Sequence, residues 1–305
     1  MAYETGTATS ETDLLQKLDT FLTTNAALRQ TAENWTRVIS EDLPATDKTL
    51  ARTVKVWRAP GASGNDRITV GAVTLQETAT SIFNLYFAGG THFNTAIPRT
   101  ADTPLAGLVN NSELVGIFTD RRAFRYWFFA SGRRAIIVTG VNSVYSSAYL
   151  GFVLPVNSPL EYPYPLVVAG STDKTVSRYS VGKGVSVVHP AAGTFWLLYP
   201  EQVWRDFRYK YSSQGRLIFP DSRADTYNGR MLPLWGGNYP LFPVEIRVVN
   251  GDERLFFGAL DGVYRLPGSG RASEDVVTLP DGRRLIVFQN AANITTADYF
   301  AVEMV

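Results

Sequence analysis

The stretch Phe124 to Pro165, FRYWFFASGRRAIIVTGVNSVYSSAYLGFVLPVNSPLEYPYP, constrains the fold more than any other part of the chain. It reads as three β-strands in succession, followed by a proline-rich exit. Phe124–Ala130 is aromatic and apolar almost without interruption, Ser131–Gly132 supplies a turn, and Arg134–Gly140 is a β-branched run. Val144–Leu154 alternates. Val144, Ala148, Leu150, Phe152 and Leu154 share one face with Ser146 as the exception, and Tyr145, Ser147, Tyr149 and Val153 share the other. A strand apolar on one face packs on one core, whereas a strand apolar on both must be covered twice. The first two strands are of the second kind. A further layer, from this chain or from a neighbouring subunit, has to lie over them.

Around this centre the signals are mainly those of short strands. Helix character is concentrated at the start, where Ser10 can cap a helix with Asp13 three residues on. Leu14, Leu18, Phe21 and Leu28, widened by Leu15 and Leu22, then form one apolar stripe. That stripe can pack on the chain's own β-domain or serve as an arm docking on another protein. Thr23–Thr24–Asn25 weakens the helix, and Ala26–Asn34 can continue it as a second short one. Strands are expected at Thr53–Ala59, Arg67–Leu75, Ser81–Ala88 and Glu113–Asp120, with residues 91–112 as a surface excursion. Later strands are expected at Leu166–Ala169, Phe195–Tyr199, Val244–Val249, Arg254–Leu260, Val263–Leu266, Val276–Leu279, Arg284–Gln289 and Tyr299–Met304. Asn250–Gly251 and Asp281–Gly282 are hairpin signals, because these residues accept positive φ. The expected class is mainly β: a sandwich-like core of antiparallel strands with a short N-terminal α-helical segment. The organisation read from the chain is an N-terminal helical arm over 1–45, a β-rich central lobe over 46–170 and a β-rich C-terminal lobe over 171–305. The last two can form one continuous domain.

Composition narrows the function classes. A formal charge of +1 over 305 residues argues against a nucleic-acid binder that relies on a broad basic field. With no cysteine, the chain has no disulfide, thiolate nucleophile or Cys-ligated zinc. The opening MAYETGTATSETD lacks the basic and apolar regions of a signal peptide, and no apolar run approaches the length of a membrane helix. A soluble chain made without an export signal and without membrane insertion is expected.

Residues that could carry chemistry are few. The two histidines, His92 and His189, stand in loop-like sequence, with no G-x-S-x-G elbow and no H-E-x-x-H pattern to give them a partner. The carboxylate pairs Glu41–Asp42, Asp252–Glu253 and Glu274–Asp275 are adjacent in sequence, so on a strand they point to opposite faces. Gly182–Lys183–Gly184 lacks the rest of a phosphate loop. No catalytic residue, metal site or cofactor is read from the sequence. The residues fit contacts better. Arg121, Arg122, Arg133 and Arg134 fall at strand starts or turns, either as solvated hairpin ends or as grips for a partner's acidic groups. Tyr162, Tyr164, Trp235 and Tyr239 fall in loop-like segments, and with Leu14, Leu18 and Phe21 they are the apolar interface candidates.

Three strings, MAYETGTATSETDLLQKLDTFLTTN, YWFFASGRRAIIVTGVNSVYSSAYLGFVLP with SPLEYPYPLVVAG, and GALDGVYRLPG with LIVFQN and TTADYFAVEM, resemble a family of tailed-bacteriophage virion proteins. The resemblance spans the ends and the middle of the chain. It implies a non-enzymatic building block of the particle, in the tail or baseplate, assembled in the host cytoplasm. Its implied partners are other copies of itself and other phage structural proteins. The alternative within the particle is a receptor- or glycan-binding module presenting aromatic residues from loops such as 220–240. An enzyme such as a glycan depolymerase would need two carboxylates meeting in a cleft.

Overall fold

A computed structural model of the chain describes residues 1–45, 50–61, 66–76, 83–97, 105–156, 166–173, 186–208, 216–219, 241–250, 253–266, 270–289 and 299–304. The chain opens with strand β1 (Ala2–Ala8), helix α1 (Glu11–Thr24) and helix α2 (Ala26–Gln30). Strands β2 (Thr36–Leu43), β3 (Arg52–Ala59), β4 (Ile68–Gln76) and β5 (Phe83–Gly90) follow. Next come the short pair β6 (His92–Phe93) and β7 (Leu108–Val109), and then β8 (Val115–Phe118). The central stretch is β9 (Phe124–Ala130), β10 (Arg134–Val141) and β11 (Val144–Pro155). After it come β12 (Leu166–Ala169), β13 (Phe195–Leu198), β14 (Trp204–Asp206) and β15 (Arg216–Phe219). The chain closes with β16 (Phe242–Asn250), β17 (Glu253–Leu266), β18 (Val276–Thr278), β19 (Arg284–Gln289) and β20 (Tyr299–Glu303). The fold is mainly β and antiparallel, with one short helical segment near the N-terminus, as the strand periodicity predicts.

Two sheets carry the architecture. The larger runs β1-β9-β10-β11-β17-β20-β19-β18, with β12 to β14 branching from β11 and β15–β16 from β17. It curls into a half-barrel. The smaller runs β2-β3-β4-β5-β8. Segments 1–45, 46–170 and 171–305 all supply strands to the larger sheet, through β1, β9–β12 and β13–β20 respectively.

β9 and β10 show why the central stretch has two apolar faces. Phe124, Tyr126, Phe128, Ala135 and Ile137 enter a core shared with α1 and the smaller sheet, including Leu14, Leu18, Phe21, Trp57 and Phe87. Trp127, Phe129, Ile136 and Val138 enter a second core, closed by Leu260, Phe288, Phe300 and Val302 from the far wall of the half-barrel. Both faces are therefore covered by this chain. A third cluster, with Val54, Val56, Tyr86 and Phe93, lies under the β6–β7 pair on the other face of the smaller sheet.

Local chemistry accounts for the elements. Ser10 is extended and its hydroxyl accepts from the Asp13 N–H at 3.0 Å, as expected of a cap. Leu14, Leu18 and Phe21 are buried at 0–1% exposure, so the helix packs on its own domain. The β10–β11 hairpin turns on Asn142 and Ser143, both with positive φ, between the paired Val141 and Val144. Gly282 (φ 88°) serves the turn between β18 and β19.

Several elements go beyond the expected strands: β2, the β6–β7 pair inside the expected surface excursion 91–112, β14, β15 and, above all, β1. The polar opener forms β1, pairing with all of β9 from Ala2↔Ala130 to Ala8↔Phe124. Thr5 and Thr7 are exposed, while Tyr3 packs on Phe129 at 5.2 Å between ring centroids. One expected burial is corrected. Leu154, assigned by alternation to the core face, is 42% exposed. Val153 still enters the second core, but β11 leaves β10 after Gly151 and runs on to pair Leu154 with Ala259 of β17. Gly151 (φ 150°) makes that change of partner possible, since a Cβ there would stand 2.4 Å from the Arg133 carbonyl oxygen.

Candidate interaction surface

The arginine pairs divide once folded. Arg121 and Arg122 stand on the turn between β8 and β9, with side chains 52% and 69% exposed. Arg121 lies over the Phe83 ring at 4.7 Å, binds Gln76 Oε1 and sits 3.8 Å from Glu11 Oε1. Arg122 donates to Asp120 Oδ2 at 2.8 Å, and that bond is the main cause holding the Asp120 carboxyl below its ordinary pKa. Arg133 is half-buried and lines an open cleft of about 650 Å³ with Met1, Thr31, Glu33, Pro60 and Gly61. Arg134 is a core residue, 1% exposed, with Nε 2.9 Å from Asp261 Oδ2 and Nη2 2.9 Å from Met1 Sδ. The fold thus presents the first pair at the surface and takes half of the second out of it.

The apolar candidates divide as well. Leu14, Leu18 and Phe21 are internal to the first core. Tyr162, Tyr164, Trp235 and Tyr239 lie outside the described residues, as do the proline segment 157–165, the loop 220–240 and Gly182–Lys183–Gly184. Exposed apolar surface appears where the sequence did not place it. Leu154 at 42%, Val156 at 52% and Phe256 at 45% stand on, or next to, β11 and β17. Alternation could have flagged Phe256, whose neighbour Phe257 packs on the second core and on Tyr199 at 5.3 Å.

Two polar clusters tie separate elements together; the sequence marks Glu274 only as half of an adjacent carboxylate pair and does not mark Asp19. Asp19 on α1 is 1% exposed and accepts from Trp57 Nε1 at 2.8 Å, Lys55 Nζ at 3.0 Å and Arg37 Nη1 at 2.6 Å. Burial pushes its pKa up, but the Trp57, Lys55 and Arg37 bonds outweigh burial and the net displacement is downward. Glu274, just before β18, is 25% exposed, pairs with Arg125 of β9 and accepts from the Tyr145 hydroxyl at 3.0 Å. Burial first, and then this bond, pushes the Tyr145 pKa up to about 12.

Of the histidines, His92 is exposed with its Nδ1 3.3 Å from Thr91 Oγ1, and His189 Nδ1 lies 3.4 Å from the Arg265 guanidinium. Among the described residues no three His, Cys, Asp or Glu side chains gather as a metal site, and no helix is long and apolar enough to cross a membrane. Asp42 accepts from the Thr53 hydroxyl at 2.8 Å and Asp275 from the Ala272 N–H at 2.8 Å, each within its own hairpin or turn. No family model matches this sequence, and neither does any curated protein.

Proposed function

We propose that the chain is a non-enzymatic structural subunit of a tailed-bacteriophage virion, in the tail or baseplate, working through repeated contacts with copies of itself and with other virion proteins. One observation supports this reading above the others. The strands formed by the three strings that carry the phage resemblance are neighbours in the larger sheet, with β12 branching from β11, and the opening string adds α1. The opening string forms β1 and α1, the central string β9 to β12, and the closing strings β17, β19 and β20. The resemblance therefore follows a contiguous scaffold rather than scattered segments. The exposed Leu154 and Phe256 on that same sheet, and Val156 just past β11, are suited to burial between subunits.

The test is cryo-EM and mass spectrometry of purified particles of the virus that encodes the chain. The expected result is the protein at many symmetry-related copies in the tail or baseplate. Its absence from intact particles overturns the proposal.

A further inference from the structure

An edge strand leaves one row of backbone N–H and C=O groups without a ladder partner, and natural sheets blunt such edges with short strands, charge, proline or bulges. Most edges of this fold are blunted in those ways. β18 and β14 are three residues long, and β15 is four. β8 is four residues long and is bridged through Gly116 to Thr172. β2 is eight residues long, but its register shifts between Arg37 and Ile39 and it carries Arg37, Glu41 and Asp42. β1 has none of these devices. It is seven residues long, pairs with β9 without a register shift, and contains no proline, lysine or arginine. Among the described residues β9 is the one strand beside it, and no backbone bond of Ala2–Ala8 outside that ladder is present.

The side chains of β1 do not guard the open edge. Its one charged side chain, Glu4, is held within the subunit, with Oε1 accepting from the Tyr126 hydroxyl at 3.0 Å. Gly6 lies against the same residue, where a Cβ would stand 2.7 Å from the Tyr126 hydroxyl oxygen. Thr5 and Thr7 are exposed, although threonine is suited to a pleated surface with a strand alongside. We propose that this edge joins two copies of the chain, β1 pairing antiparallel with β1 of a second copy about a two-fold axis at Thr5. The strand is suited to meet itself in that register. All of Ala2–Ala8 pairs: Ala2 faces the partner's Ala8, Tyr3 the partner's Thr7, Glu4 the partner's Gly6, and Thr5 its own copy. Glu4 therefore meets the one residue without a side chain. An axis at Glu4 would instead set two carboxylates directly opposite each other, which destabilises a pair of strands. Through the join the larger sheet runs on from one subunit into the next. The inference rests on the sheet edge and stands independently of the virion reading.

The test is sedimentation velocity of the full chain over a concentration series, with a monomer–dimer equilibrium as the expected result. Thr5→Lys sets like charges opposite each other at the axis. It should weaken the dimer by about tenfold or more at an unchanged denaturation midpoint. An equimolar mixture of Thr5→Lys with Thr5→Glu should restore the dimer, because a register that sets Thr5 against Thr5 turns the repulsion into attraction. The chain has no cysteine, so Thr5→Cys should cross-link to its own copy on oxidation. Thr20→Cys, also exposed but on α1, should not. A chain that stays monomeric at every concentration, a dimer that Thr5→Lys leaves intact, or a mixture that stays monomeric overturns the join. Failure of Thr5→Cys to cross-link overturns it as well, and decides the matter where the lysine variant does not fold.

Discussion

The two cores on either side of β9 and β10 are sealed by opposite means. The first is sealed by a helix, and its polar tie, Asp19, is buried at 1% exposure with three donors on one carboxylate. The second is sealed by the curl of the sheet itself, and its polar tie, Glu274, is 25% exposed with two partners. A buried tie is costly to break, because the partner it leaves behind stays desolvated. A half-exposed tie is cheap to break, because water and salt replace it. The same strands therefore carry one face tied through a buried carboxylate and one tied through a carboxylate open to solvent.

Neighbouring residues on β9 break this comparison most severely. Phe128, 0% exposed, belongs to the first core, and Trp127, 1% exposed, to the second. Truncation of either to alanine should cost about 3–5 kcal/mol, read as a shift in the denaturant midpoint. A trivial shift for Trp127→Ala alone would mean that the second core is loosely packed. Asp19→Ala comes next. Left without its carboxylate, Lys55 stays buried at 4% exposure, and the expected loss is about 3–5 kcal/mol. No comparable loss is expected at Glu274.

Acid sharpens the contrast. The folded-state pKa of Asp19 lies below its ordinary value, so its contribution is fully present above the unfolded carboxylate pKa of about 3.9. It is lost as pH falls from there through the folded pKa, and an Asp19→Asn variant should flatten that part of the stability profile. Smaller again is Ser10→Ala, which removes the cap of the helix sealing the first core and should cost about 1 kcal/mol. Smallest is Glu274→Gln, expected to cost about 0.2–1 kcal/mol in low salt and less at high salt, measured by the same midpoint. A loss as large as that of Asp19→Ala would erase the distinction between the two ties.

The candidate interaction surface was only partly legible. Arg121 and Arg122 read as hairpin ends because charge next to a turn is a local pattern, and they stand exposed on the turn before β9. Arg134 carried the same pattern but is core, because Met1 and Asp261 come to it from 133 and 127 residues away. Asp19 gave no signal, since its three donors lie on β2 and β3, and only packing brings α1 over them. Leu154 was misplaced because alternation assumes one continuous partner for a strand, and β11 changes partner after Gly151.

What the sequence determined by itself is local. Side-chain periodicity set the mainly β class and the double apolar character of β9 and β10, Ser10 and Asp13 set the helix start, and Asp281–Gly282 set a hairpin. What tertiary structure decided is non-local. It paired the polar opener with β9 as β1, covered the second face of β9 and β10 with β17, β19 and β20 of the same chain, and brought Glu274 to Arg125 across 149 residues. The reason is physical. Strand pairing uses backbone N–H and C=O groups that almost every residue carries, so side chains announce that a face must be covered, but only the assembled sheet determines what covers it.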